Sequence, residues 1–576
     1  MQKKWFYRQK RCNYDLAKDF GVHPAIIKIL ADRGVETNED VEKYLYPDMS
    51  QVTNGMDLTD MQRGVDIIFE ALESRKKIRI MADYDVDGVT SGYILWKGLK
   101  DLGADVDIFI PHRVINGYGL HEDAIRKAAE DGIQVILTCD NGIAAAKEIL
   151  LAKQLGMTTV VTDHHEVPYE EVEDGKRKYM IPPADAVIDP KRPEDNVFKE
   201  ICGAVVSWKF MGNLYRVTAE KYNDLSLMER FRDSDFLEMA SLATVCDVME
   251  LQNENRAIVK EGLKRMPNTS NIGMQALLNA LGLIGKELKS YDYGFRIGPC
   301  INAEGRLEAA MEAFELLRET DPSKAAERAE YMVKLNAERQ ELTKKGMEEA
   351  FKIVDEGKAG DKVLVVYLPE CHESIAGIIA GKVRERYNRP AFVLTKSKDF
   401  LKGSGRSIEK YSMYEELVKC KELLLAFGGH PMAAGLSLKM KNLDAFRTLV
   451  NRNCPLEDKD FIPKLTIDVI LPVEFLTKEF VKELNLLEPF GKGNEKPVFV
   501  QKNVRATNAE IIGKNHNVLK VSLANHGCRS AISFHDVEEM EKMLKNKLYD
   551  FNMVYYPDLN EWQGRTSIQA IISDIC

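Results

Sequence analysis

The 576-residue chain has no apolar run near the roughly 18–20 residues that cross a bilayer as a helix, so no membrane span is expected. Its basic opening, MQKKWFYRQKRCNYDL, lacks the apolar segment and cleavage site of a secretory signal. The ten cysteines stand singly, at Cys12, Cys139, Cys202, Cys246, Cys300, Cys371, Cys420, Cys454, Cys528 and Cys576. No Cys-x-x-Cys pair and no zinc-finger spacing occurs among them. A chain this long does not need disulfides, so a reduced, cytoplasmic compartment is the expectation. Glycine (38) and proline (20) are near average, which excludes collagen-like and low-complexity chains. With 45% hydrophobic and 30% charged residues, a wholly disordered chain is excluded too. No internal repeat is visible.

The net charge of −10 argues weakly against nucleic acid, but it is unevenly spread. Residues 361–450 carry a net +5 and residues 451–576 a net −2, which leaves −13 on the first 360. An acidic segment of that kind is either solvated surface or a set of carboxylates that hold metal.

The first 75 residues read as a helical preface. From Lys76, KIRIMADYDVDG reads as a buried strand closing in a polar loop, and TSGYILWKGLKDLG as a helix with Thr90 or Ser91 at its N-cap. Strands at DVDIFIPHR, IQVILTCDNG, TTVVTDHHEVP and ADAVIDP alternate with helices, which predicts βαβ units and a parallel sheet. Residues 300–355 are charged and helical, and their second run is long enough to connect two domains. A second α/β segment starts at DKVLVVYLPE and contains a glycine-rich turn, LKGSGRS. Residues 460–576 read as short alternating strands of a small barrel or sandwich. The expected organisation is α/β multidomain. Residues 1–265 hold the preface and the first α/β domain, 266–355 a helical connector, 356–452 a smaller α/β domain, and 456–576 the small barrel.

Ligands of open α/β sheets bind beyond the carboxyl ends of the strands. Here those ends carry Asp83, Asp85 and Asp87, then Asp140, then Asp163, His164 and His165, while SLATVCDVMEL adds Asp247. Residues two apart share a side of extended chain, so the first three carboxylates are expected on one side of a strand exit. Such carboxylates repel unless a cation neutralises them, and oxygen ligands with one or two imidazoles suit Mn²⁺ or Mg²⁺. Several bridging carboxylates suit two ions and phosphoryl hydrolysis. A single Asp after a strand is commonly a turn former or a cap. A calcium loop starting at DxDxDG is excluded, because no Glu follows at its twelfth position.

The motifs DYDVDG, CDNG, TDHH and ATVCD resemble those of the DHH phosphoesterase superfamily. INAEGR (301–306), CHESIAGIIAGK (371–382), GSGRS (403–407) and AFGGHPMAAG (426–435) resemble its DHHA1 companion region. LEPFGKGNEKPVF (487–499) resembles the start of the C-terminal OB-like barrel of the RecJ exonucleases. The resemblance covers roughly residues 60–576. It implies a parallel-sheet DHH domain, a long connecting helix, a DHHA1 domain and an OB-like barrel. It implies a single-stranded-DNA-specific 5′→3′ exonuclease of repair and recombination that releases 5′-mononucleotides. It also implies Mn²⁺ or Mg²⁺, in two ions, held by Asp85, Asp87, Asp140, His164 and Asp247, with Asp83 a further ligand. His165 would touch the scissile phosphate, and Asp163 would orient a ligand imidazole. Met81 stands where many relatives carry a histidine, which fits the exonuclease branch. Arg113, Asn302, Arg306, Ser404, Arg406, Ser407, Gly429 and His430 match substrate-contacting positions, and Lys514, His516, Lys520 and Phe534 are barrel candidates for the strand. A helicase and a single-strand-binding protein are implied partners, and a monomer is expected. The competing reading is a phosphodiesterase of short oligonucleotides or cyclic dinucleotides. The barrel and the length weigh against it.

Overall fold

A computed structural model describes residues 3–111, 119–172, 176–307, 311–357, 360–513, 516–524, 528–546, 550–562 and 564–576, with only the backbone of 304–307 and of Trp562. The chain falls into two compact units. One comprises Pro47–Gln340 with Pro489–Asn494; the other comprises Met1–Tyr46, Glu341–Glu488 and Glu495–Cys576. Strands are numbered along the chain, beginning with β1 (Lys4–Tyr7).

The unit containing Pro47–Gln340 is built on a parallel sheet of β2 (Ile78–Ala82), β3 (Val106–Phe109), β4 (Val135–Cys139), β5 (Thr158–Thr162) and β8 (Ala186–Ile188). Their order is β3-β2-β4-β5-β8, and every pairing is parallel. β6 (Tyr169–Glu171) and β7 (Arg177–Tyr179) form a separate small ladder. The sheet strands are short apolar runs because helices cover both faces. Ile78, Ile80 and Val160 pack into one core, Met81, Ile136 and Val161 into the other. The strand order reverses between β2 and β4. That switch point opens a crevice beyond their carboxyl ends, where Asp83 and Asp140 emerge.

β2 ends at Ala82, and the chain turns at once into the helix Val86–Asp101. The N-cap is Asp85, not Thr90 or Ser91, which are buried inside the helix. Asp83, Asp85 and Asp87 therefore do not lie along extended chain. A strand end, a cap and a first helical turn gather them.

The other unit carries a mixed sheet, ordered β12-β13-β11-β10-β9. Its strands are β9 (Leu364–Tyr367), β10 (Ala391–Ser397), β11 (Phe400–Arg406), β12 (Leu424–His430) and β13 (Ala433–Leu438). Only β9 and β10 are parallel. The expected glycine-rich turn LKGSGRS is instead mostly β11, paired on both sides. Gly403 and Gly405 are glycine because a Cβ would lie 2.3 Å from Leu394 and 2.6 Å from Phe392.

β14 (Lys464–Ile467) pairs with β1, so the N-terminal segment is not purely helical. Residues 1–46 group with this unit, which departs from the expected 1–265 domain. β15 (Val469–Ile470), β16 (Phe499–Ile512), β17 (Val518–Leu523), β18 (Ser530–Ser533), β19 (Asp550–Trp562) and β20 (Arg565–Ile575) follow. The pairing of β16 with β19 closes β16–β20 into a barrel. Three of these strands exceed ten residues, longer than the short strands expected. The helix Pro322–Gly357 is continuous over 36 residues, as expected, and the division into units falls within it.

Candidate metal centre and nucleic-acid interface

The ends of β2, β4 and β5 and one helix end deliver the site residues. Asp85 caps the Val86–Asp101 helix by accepting the Gly88 N–H at 3.1 Å. Asp87, on the first turn, is 1% exposed and accepts the N–H groups of Gly203 and Ala204, each at 2.7 Å. Those groups open the helix Gly203–Tyr222, so the positive end of that helix holds the carboxylate. Only glycine permits this approach, since a Cβ at residue 203 would lie 2.9 Å from the Asp140 Cβ and 3.1 Å from Asp87 Oδ2.

Asp140 leaves β4 in a left-handed conformation, with φ +59°. Asn141 fastens that corner by donating to the Met81 and Cys139 carbonyls. Asp247 ends the helix Phe236–Cys246, its N–H bonded to the Ala243 carbonyl. His164 follows β5 and aims Nε2 among the carboxylates. Asp140 Oδ1 lies 3.1 Å away, Asp87 Oδ2 3.4 Å and Asp247 Oδ2 3.6 Å.

Asp163 faces elsewhere. One oxygen accepts the Ile143 N–H, and the other accepts the N–H groups of His164 and His165 and the His165 Nδ1–H at 2.8 Å. It therefore orients His165 rather than the buried His164. Met81 is buried in the apolar core and supplies no ligand.

The electrostatics are those of carboxylates crowded together in a buried crevice. Burial, then the charge of Asp87, raises the Asp140 carboxyl well above its ordinary range. Burial and Asp87 bring Asp247 up to about 8, and the same pair raises Asp85. Burial lowers His164 and keeps its ring neutral, the form that ligates metals. Burial opposes charge on His165 as well, but the bond to Asp163 and its charge raise that imidazole to about 9.

Three triads offer ligand atoms within 4.8 Å of one another: Asp83–Asp85–Asp140, Asp87–His164–Asp247 and Asp140–His164–His165. The first two share no residue, which gives room for two ions. Asp140 Oδ1 and both His164 ring nitrogens are buried with no hydrogen-bond partner among the described residues. Orphaned buried ligand atoms of this hardness fit Mn²⁺ or Mg²⁺.

The mixed sheet supplies a different surface. Arg406, Ala433 and His430 stand in register on adjacent strands, as do Ser404, Gly435 and Gly428. Directly opposed residues share a face, so all six look one way. The helix Glu373–Tyr387 packs on this face beside β9 and β10, through Ile375, Ile379 and Val393. The strip over β12 and β13 is open: Gly428, His430 and Gly435 are exposed. Arg406 reaches across to Gly377, where a Cβ would lie 2.8 Å from Nη2.

Not every expected contact residue is on that strip. Ser407 is 1% exposed and spends its hydroxyl on the Tyr411 carbonyl. Gly429 has φ +142°, and a Cβ there would strike the Ala433 carbonyl at 2.4 Å, so its role is in the hairpin. The backbone of Gly403–Arg406 offers no free edge to a ligand, because β11 is paired on both edges. Asn302 is half-buried on the helix Gly298–Leu307. Arg113, Lys514 and the Arg306 side chain lie outside the described residues. On the barrel, His516 and Phe534 are exposed, while Lys520 has Glu510 4.0 Å away.

Residue-type reasoning missed Gly203, Asn141 and Asp189. Asp189 follows β8, is fully buried, and is raised to about 8 by burial and then by Asp163. Its signal, an Asp ending the fifth strand in AVIDP, was the one that found the others.

Known proteins place this arrangement. Residues 77–235 match the DHH family N-terminal domain, 360–454 the DHHA1 domain and 467–574 the RecJ OB domain. The single-stranded-DNA-specific exonuclease RecJ of Bacillus subtilis is 33% identical over 97% of this chain and 69% of its own length. The Escherichia coli protein of that name is 28% identical over 96% of both chains. The structure of Thermus thermophilus RecJ in complex with Mn²⁺ superposes with a TM-score of 0.82 at 27% identity, covering 100% of this chain and 79% of that one. Its complex with Mg²⁺ gives 0.76 at 26% identity, covering 99% and 78%. With three family regions in the same order and one-third identity from end to end, the chain belongs to the RecJ family of exonucleases.

Proposed function

We propose that this chain degrades single-stranded DNA from its 5′ end, releasing 5′-mononucleotides by metal-dependent phosphodiester hydrolysis. It is a single-stranded-DNA-specific exonuclease using Mn²⁺ or Mg²⁺. The observation that carries the residue assignment is the pair of disjoint ligand triads at one crevice, Asp83–Asp85–Asp140 and Asp87–His164–Asp247.

Asp83, Asp85 and Asp140 would hold one divalent ion and Asp87, His164 and Asp247 another, and such ions would supply Lewis acidity toward water and phosphate. The chain's own residues do the rest. Asp87 is held in place by the two N–H groups that open the helix Gly203–Tyr222. His165, charged near neutrality through Asp163, meets a phosphate oxygen and favours the transition state's extra charge. No separate protein base is required.

Arg406, Ser404 and His430 on the open strip bind the strand, and a guanidinium fork there suits a terminal 5′-phosphate, which sets polarity. Arg113, Arg306 and Asn302 belong to the same proposed set. The barrel holds further nucleotides by local contacts such as Phe534. Repair and recombination follow as its setting. A helicase and a single-strand-binding protein are fitting partners, because the substrate is unwound strand. One chain supplies every proposed ligand, so a monomer suffices. No helix among the described residues is long and apolar enough to cross a membrane; a cytoplasmic setting is part of this proposal.

The test uses single-stranded DNA labelled at the 5′ or the 3′ end, with Mn²⁺, and an Asp87→Ala control. Early mononucleotide release from the 5′ label alone, absent in the variant, is the expected result. An intact long strand, with cleavage only of very short oligomers or cyclic dinucleotides, overturns it.

A further inference from the structure

Beside the metal cluster lies an apolar surface with no use in the packing. Val248 follows Asp247 with φ +56°, a left-handed conformation that β-branched residues avoid. It occupies the helix-ending position usually given to glycine: its N–H reaches the Val245 carbonyl, and the next N–H reaches Thr244. Yet it is 59% exposed, so packing does not explain the valine.

Close by, Tyr291 and Phe295 are 62% and 66% exposed and stack on each other, with centroids 4.9 Å apart and planes at 20°. They belong to the stretch that runs through the π-helical turn Tyr293–Ile297 into the helix Gly298–Leu307. That turn presses on the residues before Asp247. A Cβ at Gly298 would lie 2.4 Å from Cys246 Sγ, and Cys246 donates to the Tyr293 carbonyl at 3.5 Å. The segment Pro489–Asn494 ties the two sides, because Leu251 N–H bonds the Lys492 carbonyl and Ser290 bonds the Phe490 carbonyl. Residues 247–251 and 290–298 thus pack together as one surface that begins at Asp247, with strained or large apolar groups turned to water.

We infer that this surface is a nucleobase subsite: Tyr291 and Phe295 stack on unpaired bases of the strand whose phosphate reaches the metal cluster, and Val248 is held in strain to contact the same nucleotides. Bases fit for two reasons. A single strand offers unpaired π-faces, and stacking on aromatic rings tolerates any sequence. Strain beside a functional group is retained when the strained residue acts on the ligand. The inference rests on the exonuclease reading and deepens it.

The test compares wild type, a Tyr291→Ala/Phe295→Ala double variant and Val248→Gly with Mn²⁺. The substrates are an ordinary single strand and one whose 5′-terminal nucleotides are abasic. Wild type is expected to show KM higher by roughly tenfold on the abasic strand. The double variant is expected to lose about the same factor on the ordinary strand and to be indifferent to base removal. Val248→Gly is expected to raise Tm while raising KM severalfold, a combination that a purely structural residue does not give. A double variant with wild-type KM, or one that keeps the full abasic penalty, overturns the inference while leaving the exonuclease reading intact. A wild-type chain inert on both strands overturns that reading, and this inference with it.

Discussion

The carboxylate cluster and the open strip of the mixed sheet are both polar, and they are built by opposite means. The cluster packs five aspartates and a histidine into a crevice where Asp87, Asp140 and His164 are 3% exposed or less. The strip is open and almost bare, with Gly435 and Gly428 leaving the backbone uncovered on the rung next to Arg406, Ala433 and His430. The first concentrates like charge and waits for a cation. The second removes side chains so that a polyanion can approach. One costs stability in the metal-free chain, and the other costs almost none.

Four outcomes would sharpen or break that contrast. The largest is expected from Asp140→Asn. Hydrolysis should fall on the order of a thousandfold with Mn²⁺ present, while the Tm of the metal-free protein rises, because an amide sits there uncharged without the proton uptake that burial and Asp87 impose on the carboxyl. A metal-free Tm that falls would show the cluster to be self-satisfied.

Next comes pH. Asp247 is raised to about 8, so the folded state holds a proton that the unfolded chain releases near pH 4. Stability then falls as pH climbs between those values. His165, raised to about 9, stabilises below its ordinary value of 6.5, and that contribution is lost by pH 9, so it acts in the same direction. Chelated protein should therefore lose Tm steadily from pH 5 to pH 9, and saturating Mn²⁺ should flatten the slope. Denaturation scans with and without chelator read this directly.

On the open strip, Gly377→Ala should displace the Arg406 guanidinium, raising KM for 5′-phosphorylated strand severalfold with little change in kcat. Equal effects on phosphorylated and unphosphorylated ends would remove Arg406 from end recognition. The smallest effect belongs to Ser407→Ala. Losing its buried bond to Tyr411 should cost about 1–2 kcal/mol of stability and leave KM unchanged.

Much of this was legible before any coordinates. Aspartates after apolar runs marked the strand ends, and βα alternation marked the parallel sheet. The expected positions Asp83, Asp85, Asp87, Asp140, His164 and Asp247 converge on one crevice. What was not legible depends on partners distant in sequence. Nothing local to Asp87 announces Gly203 and Ala204, more than a hundred residues on. GSGRS looked like a turn because glycine usually marks one; Leu394 and Phe392, which demand glycine there, lie on the adjacent strand. Ser407 was expected at a substrate contact through the resemblance alone, and its hydroxyl's partner, the Tyr411 carbonyl, is set by the following turn. The pairing of β1 with β14 spans most of the chain, so no window of sequence contains it.

Asp163 bonds none of the repelling carboxylates; its oxygens go to three backbone N–H groups and to the His165 ring. It joins the corner after β4, through Ile143, to the corner after β5, through both following histidines. The first residue of the Asp-His-His triplet therefore has two duties, joining two corners and holding the charge on His165. A descendant of this fold that abandoned hydrolysis would be free to replace His164 and His165, but it would still need an aspartate at position 163 to keep its two loops joined. In such lineages a surviving aspartate would be a record of architecture, not of chemistry.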